Sequence, residues 1–226
     1  MKKMKFMALL MSGALILGSC GMSNTAKGGL IGAGGGAALG ALVGKIAGKD
    51  GKGAAIGAAI GTAVGTGAGV LIGRKMDKAK AAAEAIEAAQ VESVTDANGL
   101  QAVKVTFDSG ILFDFNSSTL KSDAKNSLTE FSTVLKSNNN MDVAIFGHTD
   151  KTGTLEANKK VSLQRAQSVQ NYLKNQGVSA DQMVTVEGKD YQEYDETKSA
   201  AENRRVEIYL YASKEMIEAA NNGTLQ

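Results

Sequence analysis

The 226-residue chain has no proline, no tryptophan, one cysteine and one histidine. A single cysteine excludes an intramolecular disulfide. Cys20 and His148 together leave too few soft ligands for a structural zinc site, so neither a metal nor a cofactor is expected. Charge of one sign is also scarce. The formal net charge is +2, and Lys2, Lys3 and Lys5 lie in a segment expected to be removed; without these three the balance is −1. That leaves no basic field of the kind nucleic acids require, so no nucleic-acid partner is expected. No Gly-x-x-x-x-Gly-Lys-Ser/Thr loop is present to cradle a phosphate. What the chain does have is 27 glycines, most of them between Gly28 and Gly73. Composition therefore changes along the chain, whose length suits one or two domains.

The first twenty residues, MKKMKFMALLMSGALILGSC, run from a basic start through an apolar core to small residues. This order marks residues 1–19 as a signal peptide. The apolar run from Phe6 to Leu17 is too short to cross a bilayer as a mature helix. Leu17-Gly18-Ser19-Cys20 resembles the lipobox of bacterial lipoproteins. The resemblance implies cleavage before Cys20 and acylation of its thiol, and it accounts for the position of the only cysteine. Each buried methylene contributes about 0.8 kcal/mol, so several acyl chains on one residue anchor stably. No aspartate follows Cys20 directly; by similarity to the enterobacterial sorting rule, this implies outer-membrane lipid as the partner. Residues 20–27 form the lipidated terminus and tether.

Residues 28–73 contain two similar blocks, IGAGGGAALGALVGKIAG from Ile31 and IGAAIGTAVGTGAGVLIG from Ile56. Glycines recur at every fourth position: Gly32, Gly36, Gly40, Gly44 and Gly48, then Gly57, Gly61, Gly65, Gly69 and Gly73. A four-residue period places them on one helical stripe, where two backbones can approach closely. In water each such glycine costs about 1 kcal/mol relative to alanine. The pattern therefore predicts a helical hairpin with a tight partner surface or a lipid environment, and a homo-oligomer through the zipper is one outcome. The 21 uncharged residues from Gly53 to Gly73 are long enough to span a membrane. Packing in the periplasm is the other reading. The segment is similar to the glycine zippers of envelope lipoproteins.

Residues 74–99 read as a polar helical linker: RKMDKAKAAAEAIEAAQVES is rich in alanine and mixed charge. It serves either as a spacer or as a solvated helix packed on the next domain. From Leu100 the composition becomes globular. Leu100–Phe107 and Ile111–Phe115 read as strand, Ser117–Asn138 as helix with Ser118 as N-cap, and Asp142–His148 as strand. Leu155–Gln176 reads as a helix stopped by Gly177, followed by strands at Met183–Gly188 and Arg204–Ala212. The expected fold is α+β, a β-α-β-α-β-β mixed sheet with two helices, over residues 100–212. The tail, 213–226, is expected to be a short fraying helix.

Four ordered motifs carry a specific resemblance: ILFDFNSSTL from Ile111, GHTDKTG from Gly147, NKKVSLQRAQSVQNYLKNQGV from Asn158 and ENRRVEIYL from Glu202. Together they resemble the OmpA-like C-terminal domain over about half the chain. Two departures stand out. Val161 occupies a position where leucine is usual, and GKDYQEYDETKSAAE lacks the common Gly-Glu-x-x-Pro loop. The full order of lipobox, zipper and OmpA-like domain is similar to the YiaD type of outer-membrane lipoprotein.

The resemblance implies non-covalent binding of peptidoglycan through the diaminopimelate of its stem peptide. The free end of that residue carries an ammonium and a carboxylate. Asp150 matches the family's ammonium-binding aspartate, and Arg165 matches its carboxylate-binding arginine, whose fork suits that partner. Thr149, Thr152 and Asn158 can add polar contacts, and Asn116 follows LFDF at a strand end that the resemblance places beside the pocket. Of Arg204 and Arg205, one is expected to face the site by strand alternation; on an edge strand both would be solvated. The alternative reading is a structural salt bridge between Asp150 and Arg165. His148 reads as a strand-end residue bonded to backbone. Phe113, Phe115 and Phe146 read as core.

The implied role is a lipid-anchored tether in the outer membrane, with its OmpA-like domain in the periplasm. Two other classes remain. A MotB-like stator would carry a carboxylate in its spanning segment, and Gly53–Gly73 has none. A peptidoglycan-acting enzyme would need a paired-carboxylate, metal or nucleophile constellation, and no such pattern is evident. No enzyme is expected.

Overall fold

The computed structural model describes residues 66–96, 99–114 and 117–226. The signal peptide, Cys20, most of the glycine zipper and Asn116 lie outside the described residues.

Five strands form one sheet: β1 (Gln90–Thr95), β2 (Gln101–Asp108), β3 (Met141–Gly147), β4 (Met183–Gly188) and β5 (Arg205–Ala212). Their order is β1-β2-β5-β3-β4. β3 and β4 are parallel and the other neighbours antiparallel. The last strand thus enters the middle of the sheet, so Arg205 lies on a central strand and not on an edge. The α+β class is as the sequence implies.

Six helices accompany the sheet among the described residues: α1 (Thr66–Glu84), α2 (Ser109–Leu112), α3 (Ser122–Ser137), α4 (Leu155–Asn175), α5 (Ala200–Asn203) and α6 (Lys214–Asn221). Strand alternation sorts side chains by face. Val103, Val105, Phe107, Val143, Ile145, Val206, Ile208 and Leu210 join Leu128, Phe131 and Leu135 of α3 and Val169 and Leu173 of α4 in the main core. Phe107 meets Phe131 edge-on at 5.8 Å between centroids. Ala144, Phe146 and Tyr209 form a smaller cluster on the opposite face.

The structure departs from the sequence reading at four places, and of the two readings of the alanine-rich helix it bears out packing on the domain. The alanine-rich helix ends at Glu84, and Gln90–Thr95 pairs with β2 as an edge strand. Strand pairing overrides helix propensity here. Helix α1 also buries Ala68, Ile72, Met76, Ala79 and Ala83 in the main core, so it is packed, not a free spacer. Ile111 and Leu112 close a single helical turn capped by Asp108, whose side chain accepts from Gly110 N, and only Phe113 makes a bridge, to Leu120. α3 starts at Ser122 with Lys121 at the cap position, so Ser118 caps nothing. Lastly, the tail does not fray: Ser213 caps α6, and Met216, Ile217 and Ala220 are buried. That helix packs on α1. No described helix is long and apolar enough to cross a membrane.

Two glycines set the distance between α4 and the sheet. Gly147 and Gly188 are register partners on β3 and β4. A Cβ on Gly147 would lie 2.1 Å from Ser162 O, and one on Gly188 would lie 2.4 Å from Ser162 Oγ and 2.5 Å from Leu163 N. The obstructing atoms are mostly helix backbone and cannot rotate away. Gly147→Ala should therefore lower stability by about 1–3 kcal/mol through overpacking, read as a reduced urea midpoint.

Asp142 begins β3 near Glu215 of α6. Burial, reinforced by the Glu215 charge, pushes its carboxyl up to about 6. A raised carboxyl stabilises the fold fully below its ordinary value near 3.8, and that contribution is lost as pH rises through about 6. Asp142 is only half-buried, which discounts the effect. Asp142→Asn should raise stability by about 1 kcal/mol at pH 7.5, with the gain gone below about pH 4. Urea titrations at the two pH values read this directly.

Candidate ligand-binding site

The site lies where β3 leaves the sheet. His148, Thr149 and Asp150 continue from the strand, and the chain then turns into α4. Gly153 takes φ +88°, a left-handed conformation that glycine adopts without strain. Asp150 Oδ1 accepts from Thr152 N at 2.8 Å, the local aspartate turn that shapes this loop. Thr154 caps α4, accepting from Ala157 N. Asn158 Nδ2 donates to Thr152 O at 3.0 Å and pins the loop to the helix. Thr149 N donates to Asp190 O at 2.8 Å, joining the β4 exit to the β3 exit.

α4 presents Asn158, Ser162 and Arg165 on its buried side. Ser162 sits over the two glycines, so Arg165, one turn on, is held beside the strand end. Arg165 Nε donates to Ser117 O at 3.0 Å, and its guanidinium lies over the Phe113 ring at 5.3 Å from the centroid. Phe113 is 2 % exposed, so it is both core and platform for this arginine. Arg204, just before β5, donates from Nη1 to Asp150 Oδ2. Asp150, Arg165, Arg204, Thr149, Thr152 and Asn158 all line one cleft of about 550 Å³.

Asp150 does not pair directly with Arg165: its ion-pair partner among the described residues is Arg204. Burial works against ionisation of Asp150, but the Thr152 amide and the Arg204 guanidinium outweigh it and hold the carboxyl below its usual range. Burial depresses Arg165, and the nearby Arg204 charge adds to this while Asp150 opposes it. The cleft thus brings the ionised Asp150 carboxylate together with two guanidiniums, of which Arg165 is buried and Arg204 partly exposed.

Arg205 is not in this cleft. Alternation turns it to the other side, where its Nε donates to Glu207 Oε1 at 2.6 Å and its Nη1 to Asn203 O at 3.2 Å. Asn203 is fully buried and ties down the preceding loop, accepting from Asp195 N and donating to Asp195 O and Ser199 O. Sequence reasoning missed Asp114 and Lys121, which add a further anion and cation to the cleft wall. Asp114 inside the first motif and Lys121 directly after it were the available signal. Glu187, at the end of β4, is paired with Lys189 at 2.7 Å.

Residues 112–214 match the OmpA family, and residues 1–77 match the YMGG-like Gly-zipper. The peptidoglycan-associated lipoprotein of Pseudomonas aeruginosa is 38 % identical over 120 residues, covering 51 % of this chain and 67 % of that protein. The chain belongs to the OmpA family. The probable lipoprotein YiaD of Escherichia coli is 38 % identical over 103 residues, covering 44 % of this chain and 47 % of that one. The chain spans 36 % of the outer membrane protein A of Serratia marcescens and 60 % of that of Bordetella avium. Among solved structures, the cell wall anchor of the Pseudomonas aeruginosa T6SS is similar at a TM-score of 0.50 and 25 % identity, covering 61 % of this chain and 97 % of that one. A putative MotB-like protein from Desulfovibrio vulgaris shares the fold at a TM-score of 0.52 and 20 % identity, covering 62 % and 93 %.

The Arg204 pair has a measurable consequence. In Arg204→Ala the Asp150 carboxyl should titrate at higher pH, because a neighbouring cation is removed. Carbon-detected NMR of the aspartate side chains follows this shift, and an unchanged Asp150 titration would refute the pairing.

Proposed function

We propose that the chain is a lipoprotein that tethers the outer membrane to the cell wall, acylated at Cys20 and gripping peptidoglycan non-covalently. The observation that carries this reading is the cleft itself: a buried carboxylate and a buried guanidinium from different elements share it without neutralising each other directly. That arrangement suits a ligand carrying both signs at fixed separation. The free end of a diaminopimelate residue does so, with its ammonium toward Asp150 and its carboxylate toward Arg165. Arg204 keeps Asp150 ionised and, being the most exposed of the three, can yield to the incoming ammonium. The match to a peptidoglycan-associated lipoprotein supports the same reading, as does the lipobox at Cys20. The cleft presents charged and polar binding groups, and the relatives the chain matches include a peptidoglycan-associated lipoprotein, so the reading is a binding protein. A stator role has no support in Gly53–Gly73, which carries no carboxylate.

Each grip is weak on its own, since taking charged groups out of water offsets much of their mutual attraction. Many copies between two fixed surfaces reinforce one another by avidity. The test is co-sedimentation of the detergent-solubilised mature chain with purified sacculi. Asp150→Ala and Arg165→Ala should each reduce binding about tenfold or more, as expected when one partner of a buried charge set is removed. Retention by both variants would sink the site. Separately, Cys20→Ala should release the protein from membranes; continued sedimentation with membranes stripped of cell wall would count against the anchor.

A further inference from the structure

The proposed grip makes no use of the His148 side chain. It is 1 % exposed, and neither ring nitrogen has a hydrogen-bond partner among the described residues. Buried polar atoms without partners are rare and call for an explanation. The imidazole lies between two carboxylates from different elements. Nε2 is 3.5 Å from Glu207 Oε2 on β5, and Nδ1 is 4.0 Å from Glu193 Oε2 on the loop after β4. One ring nitrogen and one oxygen from each glutamate all lie within 4.8 Å of one another.

We propose that His148, Glu193 and Glu207 bind one divalent transition ion of the zinc class, with water completing the set. Bonds of about 2.1 Å at tetrahedral angles place two ligand atoms about 3.4 Å apart. The His148–Glu207 spacing already meets this value. Glu193, whose side chain is 36 % exposed, is the arm that closes over the ion. Glu207 is held for the role: Arg205 Nε donates to its Oε1, and Tyr209 OH donates to its Oε2 at 2.8 Å. Donors of this kind orient a ligating carboxylate. Arg205, and Lys104 at 3.8 Å from Glu207, also weaken the site relative to one built from free carboxylates. Counting cysteines and histidines overlooks such a site, because two of its three ligands are acids. A bound ion would fasten the loop after β4 to the sheet two residues from Asp150. The site stands independently of the peptidoglycan reading.

The test uses the tag-free chain expressed from residue 20 with Cys20→Ser, held in detergent, so that neither processing nor a thiol intervenes. The protein is dialysed against low-micromolar zinc chloride, and retained metal is measured by mass spectrometry. His148 is the only histidine, so nitrogen NMR reads a single imidazole. The expected result is one zinc per chain, a shifted imidazole signal, and affinity reduced roughly tenfold or more in Glu193→Gln and His148→Gln. Metal also requires the neutral imidazole, so acidification should release it. Glu193→Gln alters a partly exposed side chain, and its unchanged metal-free melting temperature separates lost ligation from lost folding. No retained zinc would overturn the proposal. So would zinc retained equally by both variants with the imidazole unshifted.

Discussion

The close approach of α4 to the sheet is the constraint on which the rest depends. Ser162 sits on Gly147 and Gly188, where any side chain would meet helix backbone. This contact fixes the helix in height and in rotation. With Ser162 facing the sheet, Asn158 and Arg165 face it too, because residues three and four apart share a helix face. The same stripe continues as Val169 and Leu173 into the apolar core. One helix therefore anchors itself at its far end by burial and presents polar groups at its near end. Asn158 holds the loop that carries Asp150, and Arg165 faces the space beside it.

The electrostatics of the cleft follow from that placement. A buried carboxylate is costly unless its oxygens are satisfied, and Asp150 meets this through Thr152 on one oxygen and Arg204 on the other. Arg165 is satisfied differently, by the Ser117 carbonyl and the Phe113 ring. Neither of these two charges is neutralised by the other. The twin arginines divide the labour by strand alternation. Arg204 serves the cleft, while Arg205 neutralises Glu207 on the opposite side and leaves that carboxylate beside His148.

Much of this was legible in the sequence. The 3.6-residue period of α3 and α4, and the apolar runs of β3, β4 and β5, are local signals that survive into the fold. The elements that were misread share a cause. QVESVT becomes a strand because β2 offers it an edge, and nothing within those six residues announces that partner. Ile111 and Leu112 look like strand by composition, but the Asp108 cap closes a helical turn there. The tail looked free to fray, yet Met216, Ile217 and Ala220 find α1, which lies far away in the chain.

By itself the sequence determined the two approximate helix faces and the apolar runs that become β3, β4 and β5. These are short-range properties, set by side-chain period and by the chemistry of neighbouring residues. Only the tertiary structure decided which charges meet. It paired Asp150 with Arg204 and not with Arg165, carried β5 into the centre of the sheet, and enclosed His148 between Glu193 and Glu207. Those outcomes depend on strand order and on one helix resting against two glycines. Contacts between residues distant in the chain are set by the packing of whole elements, which no local pattern encodes.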